Sequence, residues 1–230
     1  MWVLPPLVLY LTTAAVLEAT ITWENKTIEH HAQIQDAQAE VTFTFQNNGP
    51  HPVKITKTKT SCGCTISSPV SDLPCPPGQK GQLKAIFRFG ERTGTHENKI
   101  TVETAEVLPD GSLGSPQTHQ LSLIVHIPEV LHIQPNFLFW LPDEPPQPKT
   151  ARVKVADNVH IDVLGIRVGD PGLQAILQTL VPQKEYEITI TPTEETFKKG
   201  TFALVLLETT LPQRRFVLYI SVLGAENTNF

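Results

Sequence analysis

Residues 40–45 read EVTFTF, and this alternation constrains the chain more than any other feature. Val41, Phe43 and Phe45 fall on one face of an extended strand, and Thr42 and Thr44 on the other. Successive strand side chains point to opposite faces, so such a run predicts a half-buried β-strand. Similar runs follow at 53–59, 83–89, 100–104 and 121–127. Between them lie NNGPHP, CPPGQKGQ, GERTG and LPDGSLGSP, rich in the residues that build turns. Asn48-Gly49 is expected to turn at positive φ, with Pro50 and Pro52 stiffening the chain before the next strand. No segment sustains an i, i+3, i+4 apolar stripe, so helix is scarce.

The pattern restarts after LHIQPNFLFW and the stiff LPDEPPQP connection, with strand-like runs at 151–155, 160–168, 186–191, 201–208 and 214–222. Short strands separated by regular turn signals predict sandwiches. The expected fold is therefore all-β: two tandem immunoglobulin-like β-sandwich domains, residues 20–128 and 129–230, divided near Pro128-Glu129. The halves are similar in length and read as one unit used twice. Trp23, Trp140, Phe137 and Phe139 are assigned to core and interdomain packing. Glu194-Glu195 beside Lys198-Lys199 reads as a charged hairpin tip.

The first 19 residues form an apolar stretch, uncharged until Glu18 and interrupted by Pro5-Pro6. Too short for a membrane span, it fits a signal peptide with small residues at Ala15 and Ala19, although no Lys or Arg precedes the apolar run. The expectation is export to the periplasm, cell envelope or exterior, with membrane contact only through this segment. Lys+Arg 18 against Asp+Glu 23 gives a formal charge of −5 with no basic block, which argues against nucleic acid as partner. His30 and His31 are adjacent, so their side chains diverge on a strand and read as solvated surface rather than a chelate. No Gly-x-Ser-x-Gly, His-Glu-x-x-His or phosphate-binding glycine loop occurs, and no small-molecule substrate is evident.

Phe43, Phe45, Asn47, Gly49, Pro52, Val53 and Ile55, then Ser61-Cys62-Gly63-Cys64-Thr65, then Pro77-Gly78 and Gly81, form a combination. It resembles the bacterial domain family of unknown function DUF1573, over roughly residues 25–127. The stretch RTGTHENKITVET at 92–104 is similar to a later family segment. The resemblance implies an exported immunoglobulin-like sandwich, of a class similar to major sperm protein and cilium-associated modules, and no established activity. Cys75 departs from the family pattern, and the second half has no Cys-Gly-Cys counterpart.

The three cysteines admit four readings. In an extended strand, residues i and i+2 have Cα atoms about 6.5–7 Å apart, at the limit for a disulfide. Cys62–Cys64 can bond only if Gly63 lets the chain turn. A bridge from Cys75 to Cys62 or Cys64 closes a longer loop and would stabilise by roughly 2–3 kcal/mol. A metal reading takes Cys62, Cys64 and Cys75 as ligands for copper or zinc, with His51 or His96 as a fourth. A thiol-redox role would want a helix N-terminus, which nothing after Cys64 predicts. The structural reading, cysteines free or bridged at a strand end, leads. The expected function is a non-enzymatic exported interaction or scaffold module with an unidentified protein partner and no cofactor. Periplasmic copper or zinc binding is the alternative, and thiol-redox chemistry the third.

Overall fold

A computed structural model describes residues 21–224; the segment read as a signal peptide lies outside the described residues. In chain order the first half contains β1 (Ile21–Trp23), β2 (Thr27–His31), β3 (Gln38–Asn47), β4 (Val53–Thr60), β5 (Thr65–Pro69), β6 (Lys80–Arg88), β7 (Gly94–Glu106) and β8 (Gln117–Ile127). The second contains β9 (Leu131–Gln134), β10 (Phe137–Trp140), β11 (Lys149–Val155), β12 (Val163–Val168), β13 (Leu173–Val181), β14 (Glu185–Pro192), α1 (Glu194–Lys199), β15 (Thr201–Thr209) and β16 (Val217–Val222). The all-β class read from the sequence is the class observed.

Four four-stranded sheets result, with orders β1-β3-β6-β5, β2-β8-β7-β4, β9-β11-β14-β13 and β10-β16-β15-β12. Adding eight to each strand number of the first pair of sheets reproduces the second pair. The parallel pairs recur as well, β2 with β8 and β10 with β16. Each half therefore stacks two sheets in the immunoglobulin-like manner, and the same topology is used twice.

Alternation explains the cores. Val41, Phe43 and Phe45 of β3 join Leu83, Ala85 and Phe87 of β6 in one buried cluster, with Ile100, Val102, Leu121 and Leu123 from the facing sheet. The other cluster gathers Trp140, Val153, Ile188, Ile190, Val205, Leu218 and Ile220. Arg214 lies where the halves meet, 4 % exposed. Its guanidinium sits 6.0 Å from the Phe89 ring and 5.9 Å from Phe216, with Nη1 and Nη2 donating to the carbonyls of Ile34 and Pro128 at 3.5 Å. Burial lowers its pKa, and the charge of Asp36 opposes that shift.

Several sequence expectations need correction. The charged tip is the short helix α1, because the Thr193 hydroxyl caps the Thr196 N–H, glutamates occupy its first turn and lysines its last. The turn after Asn47 has no positive φ at Gly49. The Asn47 side chain makes it instead, accepting from the Gly49 N–H at 2.9 Å and donating to the His51 carbonyl. Trp23 and Trp140 are core residues as read, whereas Phe137 and Phe139 are exposed, because β10 turns its odd residues outward.

Candidate functional site

Strand β4 belongs to one sheet of the first sandwich and β5 to the other, so residues 61–64 carry the chain across from sheet to sheet. The crossing is a tight turn rather than extended chain. The Thr65 N–H donates to the Cys62 carbonyl at 3.3 Å, and the Thr60 hydroxyl lies 3.0 Å from the carbonyls of both Cys62 and Thr65. Ser61 and Lys99 exchange two hydrogen bonds that fasten the corner to β7. The Cα atoms of Cys62 and Cys64 thereby come to 5.3 Å, and their sulfurs are bonded. The bridge expected from Cys75 to Cys62 or Cys64 is thus replaced by Cys62–Cys64. The extended-chain distance that argued against this pairing does not apply inside a turn. Gly63 is not required at positive φ, and a Cβ there would meet open space, so the turn rests on its hydrogen bonds.

Asn98 of β7 faces this corner and is 3 % exposed. Its Oδ1 accepts from the Thr65 hydroxyl at 3.2 Å and lies 3.1 Å from Cys62 Sγ and 3.9 Å from Cys64 Sγ. A bridged sulfur carries no hydrogen, so the short approach is a sulfur–oxygen contact in the cystine. In the dithiol the same spacing suits an S–H donating to Oδ1. Asn98 Nδ2 is buried without a hydrogen-bond partner. The sequence carried a signal for Asn98, a polar residue in phase with inward-facing Ile100 and Val102.

Cys75 is a free, buried thiol. Its backbone pairs with Val53 in both directions, at 2.7 and 2.9 Å, and its Sγ donates to the Gln79 carbonyl at 3.4 Å. Burial pushes the thiol pKa up, the opposite of an activated nucleophile. It lines an open cleft of about 440 Å³ with Phe45, Val53, Ile55, Val70 and Leu73. With Cys62 and Cys64 joined, the trio proposed as copper or zinc ligands offers one thiol rather than three. His96, one suggested fourth ligand, hydrogen-bonds through Nε2 to the Thr93 carbonyl. Among the described residues, the His/Cys/Asp/Glu group close enough to share an ion is Glu29, His31 and His126.

The repeated topology identifies counterparts. Where the first sandwich crosses at Cys62–Cys64, the second crosses from β12 to β13 at Gly169-Asp170-Pro171-Gly172. Asp170 accepts from the Gly172 N–H at 2.7 Å and from the Thr201 hydroxyl at 2.5 Å. Those bonds, Thr201 first, hold its carboxylate pKa below the usual value. One corner is pinned covalently and the other by a carboxylate.

The strands that leave these corners differ more. Each is an edge strand, β5 beside β6 and β13 beside β14. β5 has five residues and ends in Pro69, and the hydroxyls of Thr58 and Thr60 occupy the carbonyls of Ser67 and Thr65. These are devices that blunt a sheet edge. β13 has nine residues, LQAILQTLV, without charge or proline. Ile176 is 66 % exposed, and Leu180 and Val181 are exposed beside it. Its guard is a register shift between Thr179 and Val181.

Comparison with known proteins gives three results. Residues 21–110 match the model of the family described as "Protein of unknown function (DUF1573)". No match emerges among curated protein sequences. Solved structures similar to this chain include a protein of unknown function from Porphyromonas gingivalis W83, 10 % identical with a TM-score of 0.36, covering 88 % of this chain and 99 % of that one. Another is a PapD-like domain of human CEP192, 13 % identical with a TM-score of 0.41, covering 54 % of this chain and 99 % of that one. The YadV chaperone is 9 % identical with a TM-score of 0.36, covering 87 % and 98 %.

Proposed function

We propose that this protein is an exported, non-enzymatic interaction module of two immunoglobulin-like domains, residues 20–128 and 129–230, in which β13 accepts an extended strand from a protein partner. The observation that carries the reading is the contrast between equivalent edges, β5 blunted by Pro69 and threonine hydroxyls, β13 long, uncharged and apolar. Strand addition uses the free backbone groups of an edge for affinity and alternate side chains for specificity. Ahead of the register shift on β13 the alternate exposed side chains are Gln174, Ile176 and Gln178. A formal charge of −5 on each copy disfavours close approach of two copies, so the occupant is a segment of another exported protein.

The test places a photo-crosslinker at Gln178 or, as control, at Ser67, in the full chain produced in its own cell. Adducts with a second polypeptide from Gln178, absent from Ser67 and lost in Ile176→Lys/Leu180→Lys, are expected. Adducts only between copies of this chain, or equally from both positions, would refute the reading. The mass of the exported protein reports whether the first 19 residues are removed.

A second reading has one observation of its own. Asn98 Oδ1 is placed to receive the Cys62 thiol on reduction, which fits a corner exchanging between cystine and dithiol with a dithiol protein as co-reactant.

A further inference from the structure

We propose that Glu29, His31 and His126 form a binding site for a divalent transition ion of the zinc class, independent of the cysteines and of strand addition at β13. Glu29 and His31 are two apart on β2, so their side chains leave the same face. β2 pairs with β8 in parallel, with His31 directly opposite His126. The two imidazole rings stack with centroids 4.4 Å apart at 15°, so a modest rotation of the more exposed His31 ring is needed to converge both nitrogens on one ion. Glu29 Oε1 lies 2.5 Å from His126 Nε2 and 3.7 Å from His31 Nε2. One donor atom from each residue falls within 4.8 Å of the others. In a tetrahedral zinc site with bonds of 2.0–2.1 Å, ligand atoms stand about 3.3 Å apart. The cluster therefore brackets the required spacing, and shifts of under about 1 Å in exposed side chains complete it.

The chemistry of the set is specific. Two neutral imidazoles and one carboxylate are a zinc donor set, and the fourth position faces solvent, ready for water or a donor from another molecule. The Thr95 hydroxyl lies 2.9 Å from His126 Nδ1. Without an ion, Nε2–H donates to the Glu29 carboxylate and Nδ1 accepts from Thr95; an ion at Nε2 displaces that proton, and Nδ1–H then donates to the Thr95 hydroxyl, which holds the ring with Nε2 toward the ion. His126 is the least exposed of the three, at 31 %, and serves as the fixed ligand, with His31 at 72 % as the mobile one. Divergence of neighbouring side chains excludes His30 from the set but says nothing of a histidine nearly a hundred residues away, so the pair is invisible to spacing along the chain.

The experiment titrates Zn²⁺ alone into the full, untagged, bridged protein by calorimetry near pH 7.5. One equivalent is expected. His126→Ala and His31→Ala should each weaken binding at least tenfold, Glu29→Gln should also weaken it, and Thr95→Val should cost about tenfold. His132→Ala and Cys75→Ser should leave it unchanged. Zn²⁺ should also raise the melting temperature of the parent protein but not of His126→Ala, which separates binding from a folding defect. Absence of saturable binding overturns the proposal. So does binding that survives loss of His126 or disappears with Cys75.

Discussion

Reducing the Cys62–Cys64 bridge should leave this protein folded. The bond joins residues two apart, so it closes a loop of three residues. On the chain-entropy account such a loop stabilises by about 1.6 kcal/mol, against about 3 kcal/mol for the loop of roughly 14 residues that Cys75 would have closed. Reduction also returns a hydrogen to Cys62 Sγ, 3.1 Å from Asn98 Oδ1. A hydrogen bond there offsets about 0.5–1.5 kcal/mol of the loss. The net cost is then about 1 kcal/mol or less, a drop of about 2–4 °C in melting temperature for a chain of this size. Calorimetric scans with and without a phosphine reductant, and of Cys62→Ser/Cys64→Ser, supply the measurement. Thiol counts in denaturant should give one per chain before reduction and three after, since Cys75 alone is free. A loss above about 3 kcal/mol, the worth of the longer loop, would refute the reasoning, as would a non-reduced peptide map that places Cys75 in the bridge.

Two further outcomes follow from packing and charge. A Cβ on Gly81 would stand 2.2 Å from Phe45 Cζ, in a ring 2 % exposed and held 5.1 Å from Trp23. Gly81→Ala should therefore cost about 1–2 kcal/mol after the entropic gain of removing a glycine, and Phe45→Leu should relieve the clash; a stabilised Gly81→Ala in urea denaturation would contradict this. Burial, with a smaller contribution from Lys26, holds the His119 pKa below its usual value. Between that lowered value and about 6.5 the unfolded chain binds more protons, so stability rises with pH in this window and levels off above it. Urea midpoints should fall from pH 7 toward pH 5, and His119→Gln should flatten the slope; an unchanged slope would assign the dependence elsewhere.

What the sequence showed, and what it hid, follows from how far each signal extends along the chain. β3 was legible because three apolar residues alternate with threonines, and β6, β8, β14 and β15 for the same reason. β5 escaped because TISSP is mostly polar, and β13 because Ile176 and Leu180 face outward and blur its alternation. α1 is too short to show a 3.6-residue period, although its cap and charge order were readable. The corner cysteines were recognised as a motif, but their pairing depended on a turn set by Thr60, Ser61 and Lys99. Partners contributed by a different strand, Asn98 and Lys99 to the corner and His126 to His31, leave no trace in local spacing.

The constant offset of eight between equivalent strands has a consequence for valency. Two equivalent edges, both open, would let a chain take one neighbour at β5 and another at β13, and such head-to-tail addition grows into a filament unless the rotation closes a ring. Pro69 and the threonine hydroxyls close one of those ends. With respect to this pair of edges the chain would be monovalent, so strand addition at β13, as proposed, would end with one occupant there rather than propagate through β5.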